Sequence, residues 1–130
     1  WGTVSNSYST ANVTGGDTVG GLVGENGEGT VSNSYSSGNV IGNNYVGGLV
    51  GSNWPLGTVR NSFWDTQTSG QSGSSGGTGK NTAEMQDVAT FSGVGWNIIT
   101  VANPDIRNLA YIWNIVDDVT YPFLSWEPVS

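Results

Sequence analysis

The stretch TVSNSYS at residues 3–9 decides the fold, because the same chain repeats it. It recurs unchanged at residues 30–36, and in the altered form TVRNSFW at residues 58–64. Catalysis needs one asymmetric site, whereas a stretch that is repeated at intervals indicates architecture. The question is therefore which architecture uses one short sequence segment three times.

Around this stretch the chain divides into three rows. Row 1 is residues 2–28, row 2 is residues 29–56, and row 3 begins at residue 57 and keeps the pattern to residue 65. The rows start at Gly2, Gly29 and Gly57, so the steps are 27 and 28 residues. A fixed period of roughly 20 to 50 residues is typical of a solenoid or another array of repeats.

The composition of each row favours strands over helices. Glycine, β-branched residues and Ser/Asn clusters are poor helix formers, and Asn, Gly and Asp suit turns. Each row offers three strand candidates, which in row 1 are TVSNSYS, ANV and VGGLVG. We therefore predict an all-β fold, a right-handed parallel β-helix or solenoid with coils of about 27 residues. A β-sandwich built from repeated hairpins is the alternative.

Equivalent residues of successive coils are expected to stack about 4.8 Å apart. The residues concerned are Asn6, Asn33 and Asn61, then Tyr8, Tyr35 and Phe63, and finally Leu22 and Leu49. We expect the asparagines to form a ladder of bonded amides, the aromatic rings to stack, and the leucines to fill a third wall. Period-2 alternation within TVSNSYS also places Val4 and Tyr8 on one face and the serines on the opposite face.

Two further segments follow the repeat region at residues 1–65. Residues 66–80 are rich in Gly, Ser and Thr, which predicts a flexible loop or linker. Residues 81–130 are predicted to be a C-terminal cap, with one short helix in NTAEMQDVATF and aromatic-rich strands in WNII, YIWNIV and TYPFLSW. Because the open end of a β-helix invites aggregation, we expect Trp96, Trp113 and Trp126 to cover the last coil.

The segment VGGLVG, taken together with NSYS, resembles the GLUG-motif repeats of bacterial and archaeal surface proteins. The matching residues are Gly21, Leu22, Val23 and Gly24 in row 1, and Gly48, Leu49, Val50 and Gly51 in row 2. The tail, from FWD at residues 63–65 to YPFL at residues 121–124, resembles the segment that follows the last such repeat. The resemblance implies a secreted, adhesin-like protein of the cell surface with a structural or adhesive role, and it carries no catalytic residues to this chain.

Charge and residue types exclude several function classes. The net charge is −7 with only three basic residues, so we predict no binding of nucleic acid, which requires a basic face. No apolar run approaches the roughly 20 residues that span a bilayer, so membrane insertion is not expected. The chain has no His and no Cys, so zinc-protease motifs and nucleophilic triads cannot be built. We predict that the chain is not an enzyme and holds no cofactor and no metal.

Two pairs of residues are candidate sites. Trp54 and Trp64 fall where turns are expected, and they form either an exposed platform for a glycan or part of the core. Asp117 and Asp118 are adjacent, and they form either a solvated turn or, with backbone oxygens, a Ca²⁺ site.

The function favoured by these patterns is a non-catalytic structural or adhesive segment of a larger extracellular or cell-surface protein. Its expected partners are a surface glycan or protein and the adjacent repeats of the parent protein. A carbohydrate-binding module that uses the two tryptophans is the alternative. A polysaccharide-degrading β-helix is the third hypothesis and the least favoured.

Overall fold

The computed structural model describes residues 2–129, which form two compact units with the boundary along the chain between Thr82 and Ala83. The described residues contain sixteen strands and two short helices. The prediction of an all-β fold is therefore confirmed.

Strands of two to four residues make up the first unit. Row 1 contains β1 (Thr3–Ser5), β2 (Tyr8–Ser9), β3 (Val13–Thr14), β4 (Asp17–Gly20) and β5 (Val23–Asn26). Row 2 contains β6 (Thr30–Ser32), β7 (Tyr35–Ser36), β8 (Val40–Ile41), β9 (Asn44–Gly47) and β10 (Val50–Asn53), and β11 (Thr58–Arg60), β12 (Phe63–Asp65) and β13 (Thr78–Lys80) follow. Rows 1 and 2 thus hold five strands each, not three, because TVSNSYS and VGGLVG are both broken in the middle.

Every strand of row 1 pairs with its counterpart in row 2, in parallel and in register. The aligned pairs include Val4 with Val31, Tyr8 with Tyr35, Val13 with Val40, Val19 with Val46, and Val23 with Val50. Row 3 continues two of these ladders, since Val59 aligns with Val31 and Phe63 with Tyr35. Hairpins would give antiparallel pairs, and the described strands of this unit pair only in parallel. The sandwich of hairpins is therefore wrong.

The paired glycines of VGGLVG explain why that stretch is two strands. A Cβ on Gly47 would lie 1.9 Å from the carbonyl oxygen of Val50, so the chain can double back here only without a side chain. A Cβ on Gly48 would lie 2.0 Å from Cδ1 of Trp64, a residue of row 3. One glycine therefore permits the bend and the other permits the close approach of the next row.

Residues 66–80, predicted to be a flexible loop or linker, are hydrogen-bonded to the strands of the first unit. Residues 66–77 form a loop, but the backbone N–H groups of Val40 and Gly48 donate to Ser69 and Gly73 at 3.0 Å. The Ser74 hydroxyl accepts from the N–H of Val50 at 2.8 Å, and β13 pairs with β12. The small Gly and Ser residues let this segment lie closely on row 2, and the serine hydroxyls form hydrogen bonds with its strand edges.

The second unit has its own helices and sheet. Its helices are α1 (Thr82–Met85) and α2 (Val88–Ser92), and its sheet has the order β14 (Ile98–Thr100), β15 (Trp113–Ile115) and β16 (Phe123–Leu124). One helix was predicted for this stretch, but Asp87 adopts an extended backbone and caps α2 by accepting the N–H of Ala89 at 2.9 Å. A residue with N-cap geometry between the two helices necessarily separates them.

Aromatic residues form the core of the second unit. The rings of Phe91 and Trp96 lie 4.7 Å apart, and those of Trp96 and Trp113 lie 4.8 Å apart. Trp126 is 70% exposed and is not part of this core. The capping role of this unit stays a prediction.

Candidate binding site

The aromatic column lies along β2, β7 and β12. The rings of Tyr8 and Tyr35 are stacked, with centroids 5.2 Å apart and planes inclined by 12°. Phe63 aligns with Tyr35 in the ladder and is buried. Leu49 is also buried, in a cluster with Val50 and Trp64 against which Leu22 packs. These residues hold the rows together, and the buried ones, Tyr35, Phe63 and Leu49, are not available to a ligand.

The recurrent asparagines have a backbone role. Asn6, Asn33 and Asn61 have φ values of 47°, 48° and 50°, which lie in the left-handed region that asparagine tolerates better than most residues. Each sits at the bend that breaks its copy of TVSNSYS. A bond between side-chain amides of two rows forms at a different place, where Nδ2 of Asn26 donates to Oδ1 of Asn53 at 2.9 Å.

Serines form the polar ladder at these bends. The N–H of Ser7 donates to the hydroxyl of Ser34, and the N–H of Ser34 donates to the hydroxyl of Ser62, both at 3.2 Å. Each hydroxyl also donates to a carbonyl two residues earlier in its own row. Ser34 and Ser62 are buried, so the prediction that the serines lie opposite to the core is wrong for this position. The left-handed asparagine interrupts the period-2 alternation just before them.

The two candidate tryptophans have different environments. Trp64 is 6% exposed, packs with Leu49 and Val50, and donates its indole N–H to the carbonyl of Gln71 at 3.2 Å. Its place in an exposed glycan platform is therefore wrong, because the Gly/Ser segment and row 2 enclose its ring. Trp54 is 55% exposed and lies in the turn that follows β10.

Two adjoining clefts, which we call the Trp54 clefts, share Trp54 as a wall. The first is a cleft of about 440 Å³ lined by Glu25, Gly27, Glu28, Trp54, Pro55 and Leu56. The second is a cleft of about 330 Å³ lined by Thr18, Glu25, Tyr45, Ser52, Asn53, Trp54 and Pro55. Both volumes fall in the range of roughly 300 to 1,000 Å³ that is usual for small-molecule sites.

Tyr45 lines the second cleft and has a backbone conformation that is unusual for tyrosine. Tyr45 and its row-1 counterpart Thr18 have φ values of 50° and 58°, although both are poorly suited to the left-handed region. The ladder between β4 and β9 omits this pair, since Asp17 aligns with Asn44 and Val19 with Val46. Tyr45 is 72% exposed as a result. Sequence reasoning missed Tyr45, although the replacement of Thr18 by an aromatic residue in row 2 was a readable signal.

Acidic and neutral polar groups also face the clefts. Glu25 belongs to both clefts, and Glu28 lines the first. Glu25 aligns with Ser52 in the pairing of β5 and β10. The described lining residues include no cation, so the clefts are disposed towards neutral or positively charged ligands.

Asp117 and Asp118 lie in a turn of the second unit. Oδ1 of Asp117 accepts the backbone N–H of Val88 at 2.9 Å, and Asp118 has a φ of 62°. Within residues 2–129 no group of three or more His, Cys, Asp or Glu side chains is arranged to hold a metal ion. No helix in the described part of the chain combines the length and hydropathy needed to cross a bilayer.

Comparison with known proteins locates a family motif in the first unit. Residues 15–41, from the end of row 1 into row 2, match the family described as the GLUG motif. A protein of Evansella cellulosilytica, provisionally named a Gly-rich membrane protein, is 41% identical over 123 residues, which is 93% of this chain and 10% of the relative. The chain thus spans about a tenth of that relative's length. No solved structure matches the chain significantly. The chain therefore carries the GLUG motif, and the resemblance predicted from its repeated residues is confirmed.

Proposed function

We propose that this chain is a non-catalytic structural segment of a larger cell-surface protein, in which successive rows are coils of a parallel β-solenoid. The observation that carries the proposal is the in-register pairing of rows 1 and 2 along five strands. Such rows can be added one after another, because each offers the next the same hydrogen bonds and the same side-chain columns. In this role the stack acts as a spacer that carries adhesive parts away from the cell.

The relative supports the location that we propose. It is named as a membrane protein, and this chain matches about a tenth of its length. A large protein with a glycine-rich repeat segment fits an extracellular, surface-attached position. The proposed partners of the segment are therefore the adjacent repeats of its parent protein. Labelling intact cells that produce the parent protein with an antibody against residues 2–65 would test the location, and labelling only after lysis would contradict it.

The proposal that the segment is not an enzyme rests on its residue types. Without His and Cys, the chain lacks the groups that most often act as base or nucleophile near neutral pH. Incubation with a panel of polysaccharides should release no new reducing ends. Release of reducing ends by the purified chain would overturn this part of the proposal and revive the polysaccharide-degrading alternative.

Introduced cysteine pairs test the stacking of rows, because the chain has no cysteine of its own. Thr3 aligns with Thr30, and Thr30 aligns with Thr58. Neighbouring rows place Cα atoms about 4.8 Å apart, which suits a disulfide, whereas two steps give about 9.6 Å, which does not. The double variant Thr3→Cys with Thr30→Cys should therefore oxidise to a disulfide, and Thr3→Cys with Thr58→Cys should stay reduced.

A second pair extends the test to another wall of the coil. Asp17→Cys with Asn44→Cys joins β4 to β9, whose Cα atoms are aligned at these positions. Free thiols can be counted by alkylation and mass spectrometry after mild oxidation. Efficient disulfides at both walls would support one continuous coil. Oxidation of the 3/58 pair as readily as the 3/30 pair would contradict the stacked arrangement.

A further inference from the structure

The Trp54 clefts are built almost entirely from positions at which rows 1 and 2 differ. The replacements from row 1 to row 2 are Thr18 by Tyr45, Glu25 by Ser52, Gly27 by Trp54 and Glu28 by Pro55, and Leu56 has no counterpart. Asn53, which repeats Asn26, is the exception. Stacking rewards identical residues in successive rows. The rows also differ at five positions outside the clefts, but only at the clefts do the replacements introduce aromatic residues, Tyr45 and Trp54. Exposed aromatic replacements therefore need another explanation.

Stability does not supply that explanation. Tyr45, Trp54 and Leu56 are 72%, 55% and 71% exposed, so they bury little apolar surface within the chain. Tyr45 is also held at a positive φ, which is strained for an aromatic residue. Exposed apolar side chains that lie together mark an interaction site more often than isolated ones do.

Four polar side chains and one indole N–H of the clefts are available to a ligand. No hydrogen bond from the side chains of Thr18, Glu25, Tyr45 or Ser52 to another described residue is present in the structure. The indole N–H of Trp54 is available in the same way, while its backbone N–H donates to the carbonyl of Asn26 at 3.0 Å. The clefts thus combine aromatic faces with hydroxyls and a carboxylate.

We propose that the Trp54 clefts bind a neutral polysaccharide, with Trp54 and Tyr45 stacking on sugar rings and Glu25 accepting hydrogen bonds from sugar hydroxyls. A sugar ring has an apolar face of C–H groups and an edge of hydroxyls, which matches this combination of groups. The net charge of −7 and the two glutamates disfavour polymers of uronate, sulfate or phosphate. A proline-rich peptide also docks on aromatic grooves, but it offers few donors to a carboxylate because proline lacks an N–H.

This inference goes beyond the structural role, and its test is separate. The 130-residue chain is run on native gels that contain dextran, galactomannan, xyloglucan or mixed-linkage β-glucan, with polygalacturonate as the anionic polymer. Retardation by at least one neutral polysaccharide is expected. Trp54→Ala and Tyr45→Asn should each weaken the apparent affinity about tenfold, the effect expected from losing an aromatic anchor. Asparagine is chosen at position 45 because it tolerates a positive φ.

Trp126→Ala is the matched control, because Trp126 is 70% exposed but lies in the second unit. It should leave the retardation unchanged, and circular dichroism should show that all variants keep their strands. Four outcomes would overturn the proposal: no retardation by any neutral polysaccharide, retardation by polygalacturonate alone, equal weakening by the control, or tighter binding of a proline-rich peptide in a titration. Each of them leaves the disulfide pattern of the stacked rows untouched, so the two proposals fail separately.

Discussion

Rows 1 and 2 carry nearly the same residues but bury them to different degrees. Tyr35 and Leu49 of row 2 are 1% and 0% exposed, whereas their counterparts Tyr8 and Leu22 are only half-buried. Row 2 pairs with row 1 along all five strands and also with β11, β12 and residues 66–77. Burial in this unit is therefore set by how many neighbours a row has, and the same side chain contributes differently to stability in each row.

The aromatic column should show the largest difference between the rows. Replacement of the buried Tyr35 by Ala should lower the free energy of unfolding by about 3 to 5 kcal/mol, the cost usual for a large buried aromatic side chain. Tyr8→Ala should cost roughly half as much, because Tyr8 stacks on one neighbour and is partly solvated. Urea denaturation of both variants measures the difference. Equal losses would show that neighbours do not decide the contribution.

The leucines repeat the comparison in the apolar cluster. Leu49→Ala should cost about 2 to 5 kcal/mol, since Leu49 is fully buried against Trp64 and Val50. Leu22→Ala removes the same atoms from a half-buried site, so its cost should lie below that range, at about 1 kcal/mol. Thermal unfolding followed by circular dichroism checks the order. A larger loss at Leu22 would mean that row 1 is more enclosed than the structure indicates.

The serine ladder should give a smaller difference. Ser34→Ala removes a buried hydroxyl and leaves the partly buried N–H of Ser7 without its acceptor, so it should cost about 1 to 3 kcal/mol. Ser7→Ala removes only a solvent-exposed bond to the carbonyl of Ser5, so its cost should stay below about 1 kcal/mol. Chemical denaturation measures the loss of stability in both variants, provided that the unfolding free energy depends on denaturant concentration with the same slope in each. If Ser34→Ala cost no more stability than Ser7→Ala, the serine ladder would not stabilise the bends.

The asparagines should show no difference between the rows. Asn6→Ala and Asn33→Ala each place an alanine at a φ near 50°, a backbone conformation that alanine tolerates less well than asparagine does. Each variant should therefore lose about 1 kcal/mol of stability. The corresponding glycine variants should be nearly neutral, because glycine adopts this backbone freely. A cost confined to Asn33 would show that burial, rather than backbone conformation, selects asparagine here.

The period of the sequence predicted the register of the rows but not the path within a row. Counting 27 residues from Val4 reaches Val31, and these two residues are aligned in the structure. The bends at Asn6 and Asn33 were missed because their left-handed backbone interrupts the alternation from which faces were assigned. The inward position of Ser34 follows from the positive φ of Asn33, which the sequence pattern does not indicate.

The placement of the Gly/Ser segment and the part of Tyr45 in the exposed clefts were missed for related reasons. Residues 66–77 share no period with the rows, so nothing in their letters indicates that they lie on row 2. The choice between Trp54 and Trp64 was open because both fall where turns are expected, and the burial of Trp64 depends on the Gly/Ser segment, whose position the sequence does not indicate. Tyr45 was readable only as a departure from row 1, a signal that a search for identical residues ignores.

The short connection from β12 to β13 makes the two sides of the stack of rows different. Phe63 pairs with Thr78, which is 15 positions further along the chain, whereas Tyr8 pairs with Tyr35, 27 positions further. On the side of this connection the Gly/Ser segment is hydrogen-bonded to Val40, Gly48 and Val50 of row 2, whereas on the other side row 1 pairs with row 2 along five strands. A duplicated row of 27 residues would therefore reproduce the pairing on the side of row 1 and not the pairing on the side of the short connection.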